Sequence, residues 1–452
     1  MGMTEKGKIF LISLGCAKNL VDSENMLGIL SSTGFRPVSS TEEAEIVLVN
    51  TCGFIQAAVE ETIDTILELI NLKKKGGLKK VFVAGCFVQR YGYKLLREIP
   101  EVDGWLGTGE IHRVADLLSN HHPKAPPPFL IGRPSYLADH TVPRMHAGPV
   151  HTAYLKIAEG CSHRCSFCTI PTLRGPFRSR SLDSLIAEAR HMADLGVKEI
   201  NLIAQDTTQY GKDLQEGACL EDLLERLVQL NGIRWIRLLY CHPNGISRRL
   251  LDLMDSEDAI CPYLDVPFQH VNEKILLSMG RDFQEKHLMR LIERVKSSAR
   301  NIRLRTTLMV GFPGETQAIF DQLCNFVRTA EFDHLGVFTF SKEKGTAAAR
   351  FPQTVTSKEA ERRRDRIMAI QGEIAERKNQ EMVGQTVSVL LEGTSPETHL
   401  LLQGRTSTMA PDVDSRVLIN KGKGIPGDIM PVLIKEAYPY DLLGEIRTDI
   451  RE

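Results

Sequence analysis

The stretch Glu159-Gly160-Cys161-Ser162-His163-Arg164-Cys165-Ser166-Phe167-Cys168 places three cysteines in one short loop, with the spacing C-x3-C-x2-C. Thiols this close together can converge on one metal centre. A structural zinc site or an electron-transfer cluster normally has four protein ligands, whereas three thiolates leave one iron of a cubane cluster open. The spacing predicts an iron–sulfur cluster with a free coordination position. The alternative is a zinc knuckle that takes a fourth ligand from elsewhere, for instance His163.

This loop resembles the cysteine motif of the radical S-adenosylmethionine (SAM) superfamily, and Phe167 fills the aromatic position before the last cysteine. The resemblance implies that Cys161, Cys165 and Cys168 hold a catalytic 4Fe-4S cluster whose open iron chelates the amino and carboxylate groups of SAM. It also implies that one electron from the reduced cluster cleaves SAM to methionine and a 5′-deoxyadenosyl radical. In such enzymes the cofactor supplies the difficult chemistry, and the protein positions it.

A second set of cysteines lies nearer the start of the chain. Residues 8 to about 120 alternate between strand and helix patterns, which predicts a doubly wound parallel sheet. The first three predicted strands end beside Cys16, Cys52 and Cys86, each next to a glycine that lets the backbone turn closely. Because the carboxyl ends of parallel strands share one edge of a sheet, these thiols should become neighbours. The pattern predicts a second three-thiolate site; the alternative is three buried core cysteines.

Two such sites in one chain match the plan of the methylthiotransferases, which the whole chain resembles. In that family the N-terminal domain carries an auxiliary 4Fe-4S cluster, so the resemblance implies two 4Fe-4S clusters and SAM as cofactors. The stretch Ser13–Glu24 is similar to the branch that modifies an aspartate of small-subunit ribosomal protein twelve, and so are Tyr263–His270 and the segment after Cys168. The tRNA-modifying branch usually reads Gln-Met-Asn where this chain has Ala-Lys-Asn after its first cysteine.

The domain plan follows from composition and periodicity. Residues 123–146 are rich in Pro, His and Gly and predict a linker between an N-terminal domain, 1–122, and a radical SAM core, 147–378. Six strand patterns alternate with helices in the core, which predicts a partial (β/α)6 barrel. Residues 379–452 show five short strand patterns, which predict a small all-β OB-like barrel that the resemblance identifies as a TRAM domain.

Active sites in β/α barrels lie at the carboxyl ends of the strands. By position, the resemblance implies that Gln205 and Asp206 contact the SAM ammonium. It likewise implies that Gly311, Gly314 and Glu315 contact the adenine. The alternative for each of these residues is a helix cap or a turn.

The segment that follows the cysteine loop is basic and contains Arg174, Arg178 and Arg180. These arginines could hold the SAM carboxylate, a polypeptide substrate or the start of the first barrel helix. Solvation of the surface is the ordinary role of arginine and stands as the alternative.

Charge and cysteine usage limit the classes of function. The chain has 56 basic and 57 acidic residues, so no global positive excess points to nucleic acid, and positions 383–452 carry seven basic against ten acidic residues. No stretch approaches the roughly 18 to 20 apolar residues of a membrane span. Ten cysteines without a secretory signal predict a cytoplasmic protein whose thiols bind metals. Four of them lack partner spacing and should pack inertly: Cys219, Cys241, Cys261 and Cys324.

The resemblance therefore implies a cytoplasmic radical SAM methylthiotransferase that places a methylthio group on the β-carbon of an aspartate. The expected partners are small-subunit ribosomal protein twelve, free or in the ribosome, an electron donor of the flavodoxin or ferredoxin type, and a sulfur donor. Two alternatives stay open. One is a tRNA adenosine methylthiotransferase, and the other is a non-catalytic iron–sulfur electron carrier with an oligonucleotide-binding module.

Overall fold

A computed structural model describes residues 6–119, 126–215 and 217–447. Two parallel six-stranded sheets follow one another along the chain, and a closed five-stranded barrel comes last. The predicted fold class is confirmed: a doubly wound α/β sheet, an open β/α barrel of six strands and a small all-β barrel. None of the described helices has the length and apolar character that a membrane crossing requires.

The first sheet is sandwiched between helices. Its spatial order is Phe35–Pro37, Gly7–Ser13, Ile46–Thr51, Lys80–Gly85, Gly104–Leu106 and Phe129–Leu130, all parallel. The helices are Ala17–Ser32, Gln56–Lys74, Cys86–Tyr91, Leu95–Glu98 and Val114–Ser119. Their apolar residues form separate clusters on the two faces of the sheet, which is why its central strands are buried throughout.

Three short strands were not predicted, because two or three residues are too few to show a periodic pattern. One of them, Phe129–Leu130, lies inside the predicted linker and pairs with Trp105 and Leu106. The same connecting segment is held by Arg144, whose guanidinium pairs with Glu24 at 2.6 Å and with Glu188 at 2.6 Å. The segment is thus fastened to both neighbouring units. The predicted boundary between residues 122 and 123 lies outside the described residues.

The second sheet has its six strands in sequence order and is open between the first and the last. They are Thr152–Lys156, Glu199–Ile203, Trp235–Leu238, Ile260–Asp265, Arg303–Val310 and His334–Thr339. One face packs on the helices Leu182–Asp194, Leu220–Leu227, Arg248–Ser256, Glu273–Ser278, Glu285–Lys296 and Gln317–Ala330. The fourth strand ends at Asp265, and Gln269 makes an isolated bridge to Leu308 on the next strand.

Helix Ser357–Gln380 follows the second sheet and buries Ile367, Ile370 and Ile374 in its core. Cys241, Cys261 and Cys324 are also buried, which agrees with inert packing. Cys219 instead begins helix Leu220–Leu227 as its N-cap residue.

The C-terminal barrel lies against the face of the second sheet that carries no helices. Its strands are Thr386–Thr394, Leu402–Thr406, Arg416–Lys421, Ile429–Ala437 and Asp441–Ile446. Buried ion pairs fasten it there. Arg405 binds Glu199 at 2.7 Å beside Arg237, and Asp414 accepts from Arg305 at 2.5 Å. The two units are therefore joined by charges that water does not reach.

Glu199 should make a large, pH-dependent contribution to stability. Burial tends to raise its pKa, but Arg405 and Arg237 outweigh burial and lower the pKa from 4.5 to about 2. The contribution is therefore complete above pH 4.5 and is lost as the pH falls toward 2. Glu199→Gln leaves two buried arginines short of a partner and should cost about 3 to 5 kcal/mol, measured by urea unfolding at neutral pH.

Asp441→Asn is the matched control, because its pair with Arg416 is exposed and should be worth less than about 1 kcal/mol. Equal losses of stability in the two variants, or an unchanged acid limb of the pH profile in Glu199→Gln, would contradict the assignment.

Candidate functional site

The cysteine loop Cys161–Cys168 follows the first strand of the second sheet and opens on a cavity of about 420 Å³. All three of its thiols line this cavity. Gly160 lets the loop turn back: its φ is +78°, and a Cβ here would lie 2.1 Å from the carbonyl oxygen of Pro176. Burial raises the pKa of Cys161 to about 11 and that of Cys168 to about 12. Metal binding at this loop must therefore displace protons.

Two other connections of the barrel hold the loop in place. The backbone N–H of Ser166 donates to the carbonyl of Met279 at 2.8 Å, and the N–H of Ala348 donates to the carbonyl of Ser166 at 2.8 Å. Gly345, Thr346 and Ala347 line the same cavity from the segment after the last strand. The loop is thus fixed by backbone hydrogen bonds on both sides.

The structure also brings the three distant cysteines of the first sheet together. Cys16 precedes helix Ala17–Ser32, Cys52 follows the strand Ile46–Thr51, and Cys86 begins helix Cys86–Tyr91. The close approach requires glycine at position 15, where a Cβ would lie 2.8 Å from the Cβ of Cys52 and 3.2 Å from its Sγ. Cys16 is exposed, so the alternative of three buried core cysteines does not describe this site.

The three thiols of this site differ in acidity. Burial raises the pKa of Cys52 and raises that of Cys86 to about 12. Around Cys16 the surrounding loops also desolvate the sulfur, which would raise its pKa. The charges of Lys18 and Arg174 and the backbone N–H groups at the helix start outweigh this effect, so the pKa of Cys16 lies below its usual value. Cys16 is the thiol most ready to ionise.

One side chain, Asn19, contacts all three segments that carry these cysteines. Its Nδ2 donates to the carbonyl of Leu14 at 2.9 Å and to the carbonyl of Thr51 at 3.0 Å. Its Oδ1 lies 3.7 Å from the Sγ of Cys86, which donates to it, and also accepts from Nη2 of Arg174 at 2.5 Å. Asn19 therefore fixes the relative positions of the three loops.

Arg174 links the two cysteine sites. It ends helix Ile170–Arg174, which begins two residues after Cys168, yet its guanidinium reaches Asn19 in the other unit. Its Nη1 donates to Asp22 at 3.0 Å and to Glu159 at 3.1 Å. Lys156 pairs with the same two carboxylates, and all four charged side chains are buried. We call Lys156, Asp22, Arg174 and Glu159 the bridging network.

The other two arginines of the basic segment serve local structure. Arg180 is buried, donates to the carbonyl of Lys156 at 3.1 Å and pairs with Glu188 at 2.6 Å. Arg178 is partly buried and donates to the carbonyl of Arg174 at 3.3 Å. Surface solvation therefore describes neither Arg174 nor Arg180.

His163, offered above as a zinc ligand, is engaged elsewhere. Its Nε2 lies 2.6 Å from Oδ2 of Asp206, and its ring stacks on that of His242 with 4.3 Å between centroids. Among the described residues, these three form the one set of potential metal ligands whose atoms all lie within 4.8 Å. A tetrahedral zinc ion holds its sulfurs about 3.8 Å apart. Neither set of three cysteines has all its sulfurs within 4.8 Å of one another, so neither is arranged for a single tetrahedral zinc ion.

The residues predicted to contact SAM all lie beyond strand ends, as expected. Gln205 is partly exposed, whereas Asp206 is buried and already holds His163 and Thr208. Phe167 packs partly buried on the barrel core. Asp206 reaches the cysteine loop through His163, whereas Gln205 and Phe167 are not among the residues that line its cavity.

The segment Gly311–Glu315 differs from the expectation in one respect. The carboxylate of Glu315 turns into the protein, where it accepts from the N–H of Gly311 at 2.6 Å and from Arg363 at 2.9 Å. Its side chain therefore shapes the turn and has no free oxygen directed to a ligand. Gly311 and Gly314 both have positive φ. Gly311 is buried, and a Cβ there would lie 2.7 Å from the Cβ of Ala360, whereas Gly314 is exposed.

Sequence reasoning missed the roles of Lys18, Asn19 and Arg174. Lys18 is buried, with its ammonium 3.2 Å from the ring centroid of Tyr240. The available signal was a positive charge in the first turn of a helix, where acidic residues are preferred. Arg174 gave no comparable signal, because its partners in the first unit, Asp22 and Asn19, are more than 150 residues away in sequence.

Three family models match successive parts of the chain. The uncharacterized protein family UPF0004 matches residues 8–107, the radical SAM superfamily matches 155–327, and the TRAM domain matches 383–446. Each match falls on one of the three units of the fold.

Curated relatives are similar over almost the entire length. A protein of Pelobacter propionicus named ribosomal protein uS12 methylthiotransferase RimO is 46% identical, with 99% of each chain covered. Proteins with the same name from Geotalea uraniireducens and Myxococcus xanthus are each 46% identical to this chain. Both alignments cover 99% of this chain, and they cover 100% of the Geotalea protein and 93% of the Myxococcus protein.

Solved structures are more distant and support the fold alone. The radical SAM methyltransferase TsrM of Kitasatospora setae, with tryptophan and a SAM analogue bound, has a TM-score of 0.53 and 16% identity, covering 74% of this chain and 73% of its own. The cobalamin-dependent enzyme OxsB has a TM-score of 0.50 and 11% identity, covering 77% and 55%.

Asn19→Ala should lower the iron that the N-terminal site retains, because the three loops lose their common hydrogen-bond partner. The measurement uses a parent in which Cys161, Cys165 and Cys168 are all alanine, so that iron per chain after reconstitution reports one site. We expect a loss of at least half. The iron content of Arg174→Lys should lie between those of Asn19→Ala and the parent, because lysine keeps the positive charge but lacks the planar, multidentate guanidinium.

Arg178→Lys is the control, because Arg178 lies four residues further on and does not contact Asn19. Parental iron content in Asn19→Ala would show that the loops hold their positions without the amide.

Proposed function

The chain belongs to the ribosomal protein uS12 methylthiotransferases of the radical SAM superfamily, and from this we propose that it transfers a methylthio group to ribosomal protein uS12. The observation that carries the proposal is the pair of three-thiol sites joined by one buried bridging network. A carrier of electrons alone needs no second site with an open position. A methylthiotransferase needs two such sites close together, one for radical formation and one for sulfur.

We assign Cys161, Cys165 and Cys168 to the catalytic 4Fe-4S cluster, which would bind SAM at its open iron. Bound SAM would supply the radical that removes hydrogen from the β-carbon of a substrate aspartate. The cavity of about 420 Å³ that all three cysteines line supports this assignment. Gln205, Gly311 and Gly314 would contact SAM, and Asp206 would act through His163.

We assign Cys16, Cys52 and Cys86 to the auxiliary 4Fe-4S cluster, which would carry or deliver the sulfur. Asn19 holds the three loops in register, and Arg174, which donates to Asn19, supplies positive charge beside the thiolates. Thiolate ligands are anionic, so this cation favours the ligand form of Cys16. In this arrangement the three thiolates would hold the cluster, and its fourth iron would stay open to carry the sulfur toward the substrate.

The bridging network fixes the geometry between the two sites. Sulfur held at one site can reach a carbon activated at the other only if the two sites stay close together. A small change in their separation would lower the rate of transfer by a large factor. Asp22 comes from the N-terminal unit and the other three members come from the core, so the network sets their separation directly. A hydrogen-bonded, charge-balanced set is rigid in a way that apolar contacts are not.

The C-terminal barrel bears on the choice between protein and RNA. Seven basic and ten acidic residues occupy positions 383–452, of which Asp449, Arg451 and Glu452 lie outside the described residues. The interface with the core buries Arg405 and Asp414, one charge of each sign, so the balance of the remaining surface stays acidic. An acidic surface favours the basic surface of a ribosomal protein over a phosphate backbone.

Reduction of the cluster and repeated turnover further require an electron donor and a sulfur donor.

The two cysteine sets should be separable by mutation. Replacing Cys161, Cys165 and Cys168 by alanine should leave about half the iron, as two equal clusters imply, and abolish 5′-deoxyadenosine formation. Replacing Cys16, Cys52 and Cys86 should also remove half the iron but leave reductive SAM cleavage in place, with no methylthio product. SAM cleavage in the first variant, or normal product in the second, would refute the respective assignment.

The substrate should be a protein. Reconstituted enzyme is offered ribosomal protein uS12, free or in ribosomes, and in parallel prenylated tRNA, and products are identified by mass spectrometry. We expect a methylthio group on an aspartate of the protein, with binding that weakens as salt rises. Transfer to tRNA with none to the protein would establish the alternative function, whatever the outcome for the two clusters.

A further inference from the structure

Lys18 is a buried cation close to the first cysteine site. It is 5% exposed, and among the described residues its ammonium makes no hydrogen bond or ion pair. The ammonium lies over the face of Tyr240, at 3.2 Å from the ring centroid. A cation–π contact offsets only part of the cost of burying an ion. An ammonium held in this way is suited to a ligand that brings the missing negative charge.

The position of Lys18 relative to the first cysteine site supports this reading. It lies in the first turn of helix Ala17–Ser32, two residues after Cys16. The N-terminus of a helix presents unpaired N–H groups and a positive dipole end, which also attract an anion. Side chain and helix end therefore offer positive potential to the same region, directly beside Cys16.

The contact with Tyr240 connects this region to the second cysteine site. Tyr240 follows the strand Trp235–Leu238 and has a φ of +61°, a left-handed conformation that is costly for a bulky residue. Its carbonyl accepts from the N–H of Thr207 at 3.0 Å, and Thr207 follows Asp206, the partner of His163 in the cysteine loop. A group held by Lys18 would thus lie between the two sites, where the reacting carbon must be.

Asp265 interacts with the charge of Lys18, but the two side chains form no ion pair. Asp265 accepts from the N–H of Tyr240 at 3.0 Å, and its other oxygen lies 3.7 Å from Nε of Arg305 with no hydrogen bond. Burial raises the pKa of Asp265, while Arg305 and Lys18 are among the groups that lower it. Its oxygens face the backbone and Arg305, so the ammonium of Lys18 stays available.

We propose that Lys18 binds the side-chain carboxylate of the substrate aspartate and selects that residue over neutral side chains. The inference rests on the proposed function. SAM is a less suitable partner for Lys18, because its own carboxylate would be chelated at the open iron of the other site. A carboxylate on Lys18 is one bond from the β-carbon, so the ammonium would hold that carbon beside Cys16 and orient it for transfer.

The test compares wild-type enzyme with Lys18→Met, which removes the charge and keeps the length of the side chain. The substrate is ribosomal protein uS12 carrying either aspartate or asparagine at the modified position. Wild type should bind the aspartate form at least tenfold more tightly and should modify it alone. In Lys18→Met this discrimination should fall to less than twofold, and KM for the aspartate protein should rise at least tenfold. Lys18→Arg, which keeps the charge, should retain part of the discrimination.

Two further readouts separate this role from support of the cluster or of SAM. Iron content and SAM cleavage of Lys18→Met should match those of wild type. Lys8→Met is the control, because Lys8 is an exposed lysine of the same sheet. Full discrimination in Lys18→Met, loss of iron at the N-terminal site, or loss of SAM cleavage would each overturn the inference while wild type still modifies the protein. Failure of wild type to modify the protein would instead overturn the proposed function.

Discussion

Four buried charges hold the functional region together. Lys156 and Arg174 each contact both Asp22 and Glu159, so every ion of the set has two partners of opposite sign. Buried ions are costly to desolvate, and such a set is tolerated only when it is neutral and fully hydrogen-bonded. Removing any one member leaves an uncompensated charge among the others. The network is therefore best understood as a device for fixing geometry, and its net contribution to stability is secondary.

The same principle recurs where the C-terminal barrel meets the core. Glu199 lies between Arg237 and Arg405, and Asp414 lies against Arg305 and Tyr263. Apolar contacts alone would allow the units to slide, whereas charge pairs with directional hydrogen bonds specify one arrangement. The three units thus share a pattern in which apolar cores build each unit and buried ions orient the units relative to one another.

Periodicity and spacing were sufficient for the scaffold and the cysteines. Local sequence patterns predict the six strands of the second sheet and the five-stranded barrel. They also predict the strand ends beside Cys16, Cys52 and Cys86. The long-range partners do not, because nothing near Arg174 in sequence indicates that it will meet Asn19. Glu315 shows the converse case: its position suggested a ligand contact, but Arg363, 48 residues later, occupies its carboxylate. Local patterns identify where a side chain lies along an element and leave open which distant group it meets.

The reach of Arg174 into the first unit has a consequence for how the protein is made. Domains generally fold from the N-terminus as the chain leaves the ribosome. The first sheet can close as soon as its last strand, Phe129–Leu130, has emerged, but Asn19 lacks its guanidinium partner until position 174 is also available. A nascent chain halted between these points would expose Cys16, Cys52 and Cys86 without the charge that favours metal binding. Vectorial synthesis therefore delays completion of the first site to be translated until part of the second has been made.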